Sequence, residues 1–510
     1  MALSFFTHQL PFIVRLIGLM KDMNKRKDSA FNMTEGLEQR AKTTPDKLAL
    51  IDAEGIEPSL TWAQWDEMAN RIANWGKSIG LKHRDVVALY MENRPIYPVV
   101  WTGLAKIGVT TALINHSQEG KALTHSITES KAKHIIVDGD KTAATDAIRD
   151  AFPNLDWFTF GGDEKVDGYT SLSDILETMP TDRPPPPAEG HATDPLVLVY
   201  TSGTTGLPKA AIITHLRFFG AGNIFSRLGK VTDKDVIYTS LPLYHSAGGM
   251  IGVGSLLAKG ATLVIRRRFS ASNFIPDCVK HDCTVAQYIG EILRYVISIP
   301  PADTDRQHKL RFFLGNGLRP DIWEDVVNRF GCRVFEFYGA TEGNVTLVNP
   351  HGQARAVGYM PPLLQKLLPY KIVKFDVNEE IPARNASGFC QMVKPGEVGE
   401  AIGEIRHDDP VTEFRGYTSD KATQKKIIRD VFQKGDAYFL TGDLLRMDKE
   451  GYCYFVDRIG DTFRWKGENV ATTEVSEIIN SVPGVEESIV YGVSIPGHDG
   501  RAGMASLILN

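Results

Sequence analysis

An α/β protein is predicted: a large N-terminal domain of two parallel-sheet α/β subdomains plus a β-rich section, then a hinge and a small, truncated-looking C-terminal α/β domain. Two observations predict it. Through the first two thirds of the 510 residues, short apolar runs alternate with longer amphipathic stretches, the pattern of parallel strands covered by helices. Beyond about residue 395 the runs become short strands between turn residues, the texture of an antiparallel section. A chain of this length exceeds one hydrophobic core and divides at roughly 100–200 residues per domain.

In chain order, residues 1–33 form an N-terminal segment. Its apolar run, 10–20, contains Pro11 and Arg15 and is followed by Lys21, Lys25, Arg26 and Lys27. The run is shorter than the ~20 apolar residues a spanning helix requires. Its charge follows the apolar run, whereas a secretory signal carries charge before it. Two placements stay open: an interfacial helix whose basic end meets anionic lipid, or a helix packed on the protein's own surface. The large domain is expected over 34–456, with subdomains at 34–183 and 188–394 and the β-rich section at 395–456. Strands are expected at 48–51, 86–90, 111–115, 134–138, 196–200, 236–240, 262–265, 285–289, 310–314 and 334–338, with helices at 62–79 and 322–330. The four prolines 184–187 are stiff and extended and bridge the subdomains. Shorter strands are expected at 397–406, 438–440 and 452–456, and the charged, glycine-containing stretch 457–461 marks the hinge that opens the last unit, 457–510.

Composition excludes some classes. At 43% apolar and 23% charged residues the chain is globular, not disordered. A net charge of −5 gives no case for nucleic acid, which calls for a basic excess or stripe. The cysteines, Cys278, Cys283, Cys332, Cys390 and Cys453, are odd in number and scattered, which fits a reducing compartment. Cys278, His281 and Cys283 lie close together, but no second pair completes a zinc set.

The chemistry begins in LVLVYTSGTTGLPKAA, residues 196–211. An apolar strand pattern ends in hydroxyls, glycines and one lysine. Glycines let backbone N–H groups approach an anion, hydroxyls add donors, and Lys209 supplies a mobile positive charge. Together they suit a polyphosphate. The nucleotide-triphosphatase loop ends in Gly-Lys-Ser/Thr, whereas Lys209 sits between Pro208 and Ala210, so that pattern fails.

This stretch resembles the phosphate loop of the acyl-adenylate-forming superfamily, the AMP-dependent synthetases and ligases. FYGATEGN (337–344), YFLTGDL (438–444) and VDRIGDTFRWKGENVATTEV (456–475) resemble its later motifs in the expected order. The last of these, with FFLGNGLRP (312–320) and YGVSIPGHDGRAGMA (491–505), is most similar to the fatty acid transport protein and very-long-chain acyl-CoA synthetase branch. The resemblance covers roughly residues 34–505.

It implies activation of a long- or very-long-chain fatty acid, with ATP, Mg²⁺ and coenzyme A as co-substrate. The acid's carboxylate attacks the α-phosphorus of ATP, pyrophosphate departs, and the thiol of coenzyme A then displaces AMP. No side-chain nucleophile is required; the protein neutralises phosphate charge and holds reactants in line. By the resemblance, Thr201, Ser202, Thr204 and Thr205, with the amides of Gly203 and Gly206, cradle the β- and γ-phosphates, and Lys209 assists or anchors the loop. Glu342 is the Mg²⁺ ligand and Thr341 bonds phosphate. Tyr338 stacks on adenine over a floor of Gly315, Asn316 and Gly317; Asp443 accepts from both ribose hydroxyls, and Arg458 reaches the same ribose. His245, in LPLYHSAGG, lies beside the acyl carboxylate, and Met250, Ile251, Val253 and Leu256 line the acyl tunnel or the core. Trp465, Lys466 and Gly467 meet coenzyme A once the small domain rotates. Thr204, Lys209, His245 and Glu342 form the catalytic set.

The sequence departs from the family late. Members carry a lysine deep in the C-terminal domain, whereas Lys466 is the last lysine here and only His498 and Arg501 follow as basic residues. Slowed adenylation is therefore expected of these residues. Two other readings stay open: a catalytically impaired fatty acid- and nucleotide-binding or transport-assisting protein, and a CoA ligase for another acid such as a bile acid. Peripheral attachment to a cytosol-facing membrane of the endoplasmic reticulum, peroxisome or cell surface is expected from the N-terminal segment and the resemblance.

Overall fold

The computed structural model describes residues 9–162, 166–201, 207–376, 379–406, 409, 412–461, 463–465, 468–495 and 501–509. Its first sheet has seven strands. Six are parallel, in the order Thr170–Ser171, Asp156–Phe160, His134–Asp138, Val86–Tyr90, Thr110–Ile114 and Pro195–Thr201; Lys209–Thr214 then pairs antiparallel at the edge. The second sheet has eight. Its six parallel strands, Arg333–Gly339, Phe312–Asn316, Val285–Ile289, Val236–Thr239, Thr262–Ile265 and Leu48–Asp52, lie between antiparallel edges at Thr346–Val348 and Leu60–Thr61.

Sheet membership does not follow the expected boundaries at 34–183 and 188–394. Leu48–Asp52 crosses to the second sheet and pairs with Thr262–Ile265, while the hairpin Pro195–Thr201/Lys209–Thr214 closes the first. An apolar run says that a strand is buried on both faces, but not which neighbour it hydrogen-bonds. The β-rich sheet is antiparallel throughout its main path, Gly358–Tyr359, Tyr452–Arg458, Ala437–Met447, Val398–Glu404 and Tyr370–Val373. It begins well before residue 395.

Local signals account for the helices around the sheets. Trp62–Ser78 starts on a capping box: Thr61 Oγ1 accepts from Gln64 N (3.2 Å) and Gln64 Oε1 accepts from Thr61 N (2.9 Å). It buries Trp62, Trp65, Ile72 and Trp75. Leu10–Arg26, with Pro11 in its first turn, packs Phe12, Leu19 and Met23 inward against the protein's own surface. Among the described residues, no helix is long and apolar enough to cross a membrane.

Beyond residue 461, Phe463–Trp465 pairs with Glu468–Val470, and helix Thr472–Asn480 packs on the hairpin Val485–Ser494/Arg501–Leu509. Buried Asp457, on strand Tyr452–Arg458 of the β-rich sheet, ties that helix to the sheet by accepting from Thr472 N (2.7 Å) and its hydroxyl. All five cysteines are buried and unpaired. Among the described residues, no cluster of three or more His, Cys, Asp or Glu could hold a metal; His281 Nε2 lies against Ala53 O (3.1 Å).

Candidate active site

In open parallel sheets, ligands lie beyond the carboxyl ends of the strands. The second sheet's Arg333–Gly339 runs there directly into Ala340, Thr341, Glu342 and Gly343. Arg217 holds that loop. Thr214 caps helix His215–Leu228 by accepting from Arg217 N (3.1 Å), which puts Arg217 in the first turn. Its Nη1 donates to Glu342 O (3.1 Å), and Nη2 to Thr341 O (2.5 Å), Ala340 O (3.4 Å) and Gly343 O. A cation at a helix N-terminus opposes the macrodipole; the carbonyls and the Glu342 charge offset that. Burial pulls its pKa down to about 10, so it stays charged at neutral pH.

Thr341 Oγ1 shares a hydrogen bond with Ser246 Oγ (2.9 Å). Glu342 Oε1 accepts from Tyr417 OH (2.6 Å), and burial together with that carboxylate pushes the phenol well above its usual range. The Lys209 ammonium lies 5.7 Å from the centre of the same ring. Tyr417 reaches this place because its backbone bridges to Ala211 on strand Lys209–Thr214. Thr201 pairs in register with Lys209, so both limbs of the intervening loop start side by side. The Thr201 hydroxyl is buried beside the Tyr417 phenol. Ser202, Gly203, Thr204, Thr205 and Gly206 lie outside the described residues, as do Lys466, Gly467 and the side chain of Trp465.

Tyr338, near the end of the same strand as the loop, donates its OH to Asp443 Oδ2 (2.6 Å). Asp443 and Arg458 face each other across neighbouring strands, with Arg458 Nε 3.6 Å from Asp443 Oδ1. Burial raises the Asp443 carboxyl above its usual range, against the Tyr338 bond and the Arg458 charge. Beside them, Gly315 admits no side chain: a Cβ would stand 2.1 Å from Tyr288 O. Gly317 turns the chain at φ +76°.

That turn is held by Glu336, buried in the neighbouring strand. It accepts from Gly317 N, from Leu318 N (3.2 Å) and from Tyr288 OH. Burial pushes its carboxyl up to about 8 although all three donors pull the other way. His245 is the residue before helix Ser246–Val253, its ring 4.5 Å from that of Tyr244. Burial holds its imidazole below the usual range, and hence neutral.

A largely apolar cavity of about 440 Å³ leads away from this centre. Tyr338, Thr341 and Ser246 form its inner end, Ile224, Met250 and Ile251 its walls, and helix Leu10–Arg26 its far side. Val253 and Leu256 are fully buried core instead.

Arg217, Glu336, Tyr417 and Ser246 were missed in the sequence. A charge inside an otherwise apolar strand (VFEFY) or helix (HLRFFGAG) is the signal that would have found the first two. Tyr417 carries none.

The donor set fits the expected nucleotide and cation. Glu342 offers hard carboxylate oxygen for Mg²⁺, the Thr341, Ser246 and Thr201 hydroxyls offer donors to phosphate, and Asp443 offers an acceptor at the hydroxyl end of Tyr338.

The family model described as AMP-binding enzyme matches residues 37–400, and the chain belongs to that family. Long-chain fatty acid transport protein 1 of Mus musculus is 42% identical over 473 residues, covering 92% of this chain and 73% of that protein. Long-chain fatty acid transport protein 2 of Rattus norvegicus is 43% identical over 479 residues, covering 92% and 76%. Within the AMP-binding enzymes, the chain thus belongs with the long-chain fatty acid transport proteins. Its fold is also that of anthranilate CoA ligase AuaEII in complex with anthranoyl-AMP (TM-score 0.78, 21% identity, 94% of this chain and 87% of that one). The Mycobacterium tuberculosis fatty acyl CoA synthetase matches likewise (TM-score 0.69, 23% identity, 94% and 88%).

Proposed function

We propose that this protein is an AMP-forming ligase that joins long- or very-long-chain fatty acids to coenzyme A through an acyl-AMP. The carrying observation is the apolar cavity that starts at Thr341 and Ser246 and runs toward the N-terminal helix. A chain laid in it presents its carboxylate at the loop that bears Glu342. Other carboxylic acids share the head group; a largely apolar passage favours an alkyl chain.

Glu342 would hold Mg²⁺, which would supply positive charge to offset that of the phosphates. Thr341 and the loop after Thr201 donate to phosphate oxygens, and Lys209 adds a cation. Tyr338 and Asp443, with Arg458, fix the nucleoside. Arg217 holds the Thr341–Glu342 backbone in place, and Glu336 shapes the glycine turn against which adenine lies. Neutral His245, beside Ser246, adds no charge near the acyl carboxylate. Trp465, Lys466 and Gly467 receive coenzyme A after the small domain rotates. The site works at a cytosol-facing membrane surface, of the endoplasmic reticulum, peroxisome or cell boundary, to which the protein attaches peripherally.

The test is pyrophosphate release with Mg-ATP across a panel of acids. Release with long-chain acids, and far less with aryl and bile acids, is the expected result. Equal release with every class refutes the substrate assignment.

A further inference from the structure

Helix Leu10–Arg26 has two apolar faces, and the body of the protein covers one of them. Phe12, Leu19 and Met23 are buried; Phe12 stands edge-on to Tyr359 (ring centroids 5.8 Å apart), and Asp22 pairs with Arg227 of helix His215–Leu228. The seat is tight at one end, where a Cβ on Gly220 would come within 2.9 Å of Met23 Cε. On the other face Leu10, Val14 and Ile17 stand at helical spacing and are exposed, by 38%, 59% and 47%. The same spacing continues into exposed Lys21 and Lys25.

Near the helix, the turn after Pro361 exposes Leu363 by 69% and Leu367 by 76%, with exposed Lys366 between them. Leu367 is the most exposed large apolar side chain among the described residues. Ile17 and Leu367 each belong to two surfaces: both are exposed, and both line the apolar cavity that ends at Thr341. Side chains of that double character mark a mouth. The opening therefore lies between the N-terminal helix and this turn, with leucines, an isoleucine and a valine at its rim and lysines outside.

We propose that this opening is the portal for the acyl chain, and that its rim docks on an anionic bilayer. The proposal rests on the acyl-tunnel reading above and names the source of the substrate. A mouth in water would force an acyl chain to cross solvent and would leave the rim wet. With Leu10, Val14, Ile17, Leu363 and Leu367 in the headgroup boundary, the chain passes from lipid to tunnel without hydration, while Lys21, Lys25 and Lys366 meet anionic headgroups. The carboxylate enters first, and the cavity's inner hydroxyls, Thr341 and Ser246, are its stop.

The experiment compares the wild-type protein with the double variant Val14→Asp, Leu363→Asp. Neither residue is buried or lines the cavity, and unchanged thermal unfolding certifies the fold. Flotation with phosphatidylcholine vesicles containing phosphatidylserine is expected to recover about tenfold more wild-type protein than pure phosphatidylcholine does, and less at raised salt. The variant is expected to lose about tenfold of that binding. Transfer of a fluorescent long-chain acid from such vesicles slows in the variant, whereas binding of the same acid from buffer is unchanged. Equal vesicle binding or equal transfer by variant and wild type overturns the portal. Wild-type protein indifferent to vesicles, yet binding the acid from buffer, overturns the portal and leaves the tunnel intact. Failure to bind the acid even from buffer overturns the tunnel reading beneath it.

Discussion

Glu342 and Tyr417 stand 75 positions apart in the chain and share one hydrogen bond, so the site's acid is aimed by a residue its own motif does not contain. Replacing Glu342 with Gln keeps an acceptor for that phenol and removes the charge that a hard cation needs. Pyrophosphate release by Glu342→Gln is expected to fall about 100-fold or more, with unfolding by urea little changed; a release rate within a few-fold of wild type refutes the Mg²⁺ role. Glu336 yields a prediction in pH. Its folded pKa of about 8 lies above the ordinary carboxyl value of about 4.3 in the unfolded chain. The folded state therefore keeps a proton that the unfolded state has lost. Its contribution to stability is full below the unfolded value and declines as pH rises through the folded one. Glu336→Gln, which stays neutral and still accepts from Gly317 and Leu318, is expected to flatten the fall in urea midpoint between pH 5 and pH 8. An identical pH profile in both proteins would count against the buried neutral acid.

Helices and strands were legible where their edges carry local chemistry. Strands at 86–90, 134–138, 262–265 and 285–289 coincide with the runs read from the chain, because turn residues bound each apolar run. The N-terminal helix continues past its apolar run to Arg26, since basic residues keep the helical period. Packing between helices was not legible. Gly222 of helix His215–Leu228 meets helix Gly254–Lys259 so closely that a Cβ would lie 2.3 Å from Gly254 C. Glycine to alanine inside a helix ordinarily gains up to about 1 kcal/mol. Here the backbone contact reverses the sign, and Gly222→Ala is expected to lose about 1–3 kcal/mol in urea unfolding. A gain would show that the two helices separate readily.

Three sheets converge on the candidate nucleotide site. Lys209 comes from the first, Thr341 and Glu342 follow a strand of the second, and Asp443 belongs to the β-rich one. A ligand that touches all three binds the folded chain only. Mg-ATP at a hundred times its dissociation constant should add about 2.7 kcal/mol to stability, read as a higher thermal midpoint. ATP with EDTA should give much less, and Glu342→Gln should narrow the difference. No shift with Mg-ATP would break the link between these sheets and the nucleotide.

The chain alone carried the alternation of strands and helices, the phosphate-loop pattern and the acidic loop, since each depends on residues close together in sequence. Sheet partners, the Arg217 and Glu336 clamps, Tyr417 behind Glu342 and the apolar mouth between the N-terminal helix and Leu367 required the folded molecule. Pairing, burial and cavity walls are set by residues far apart along the chain, and no local pattern records which distant side chain arrives to desolvate a charge or leave a gap.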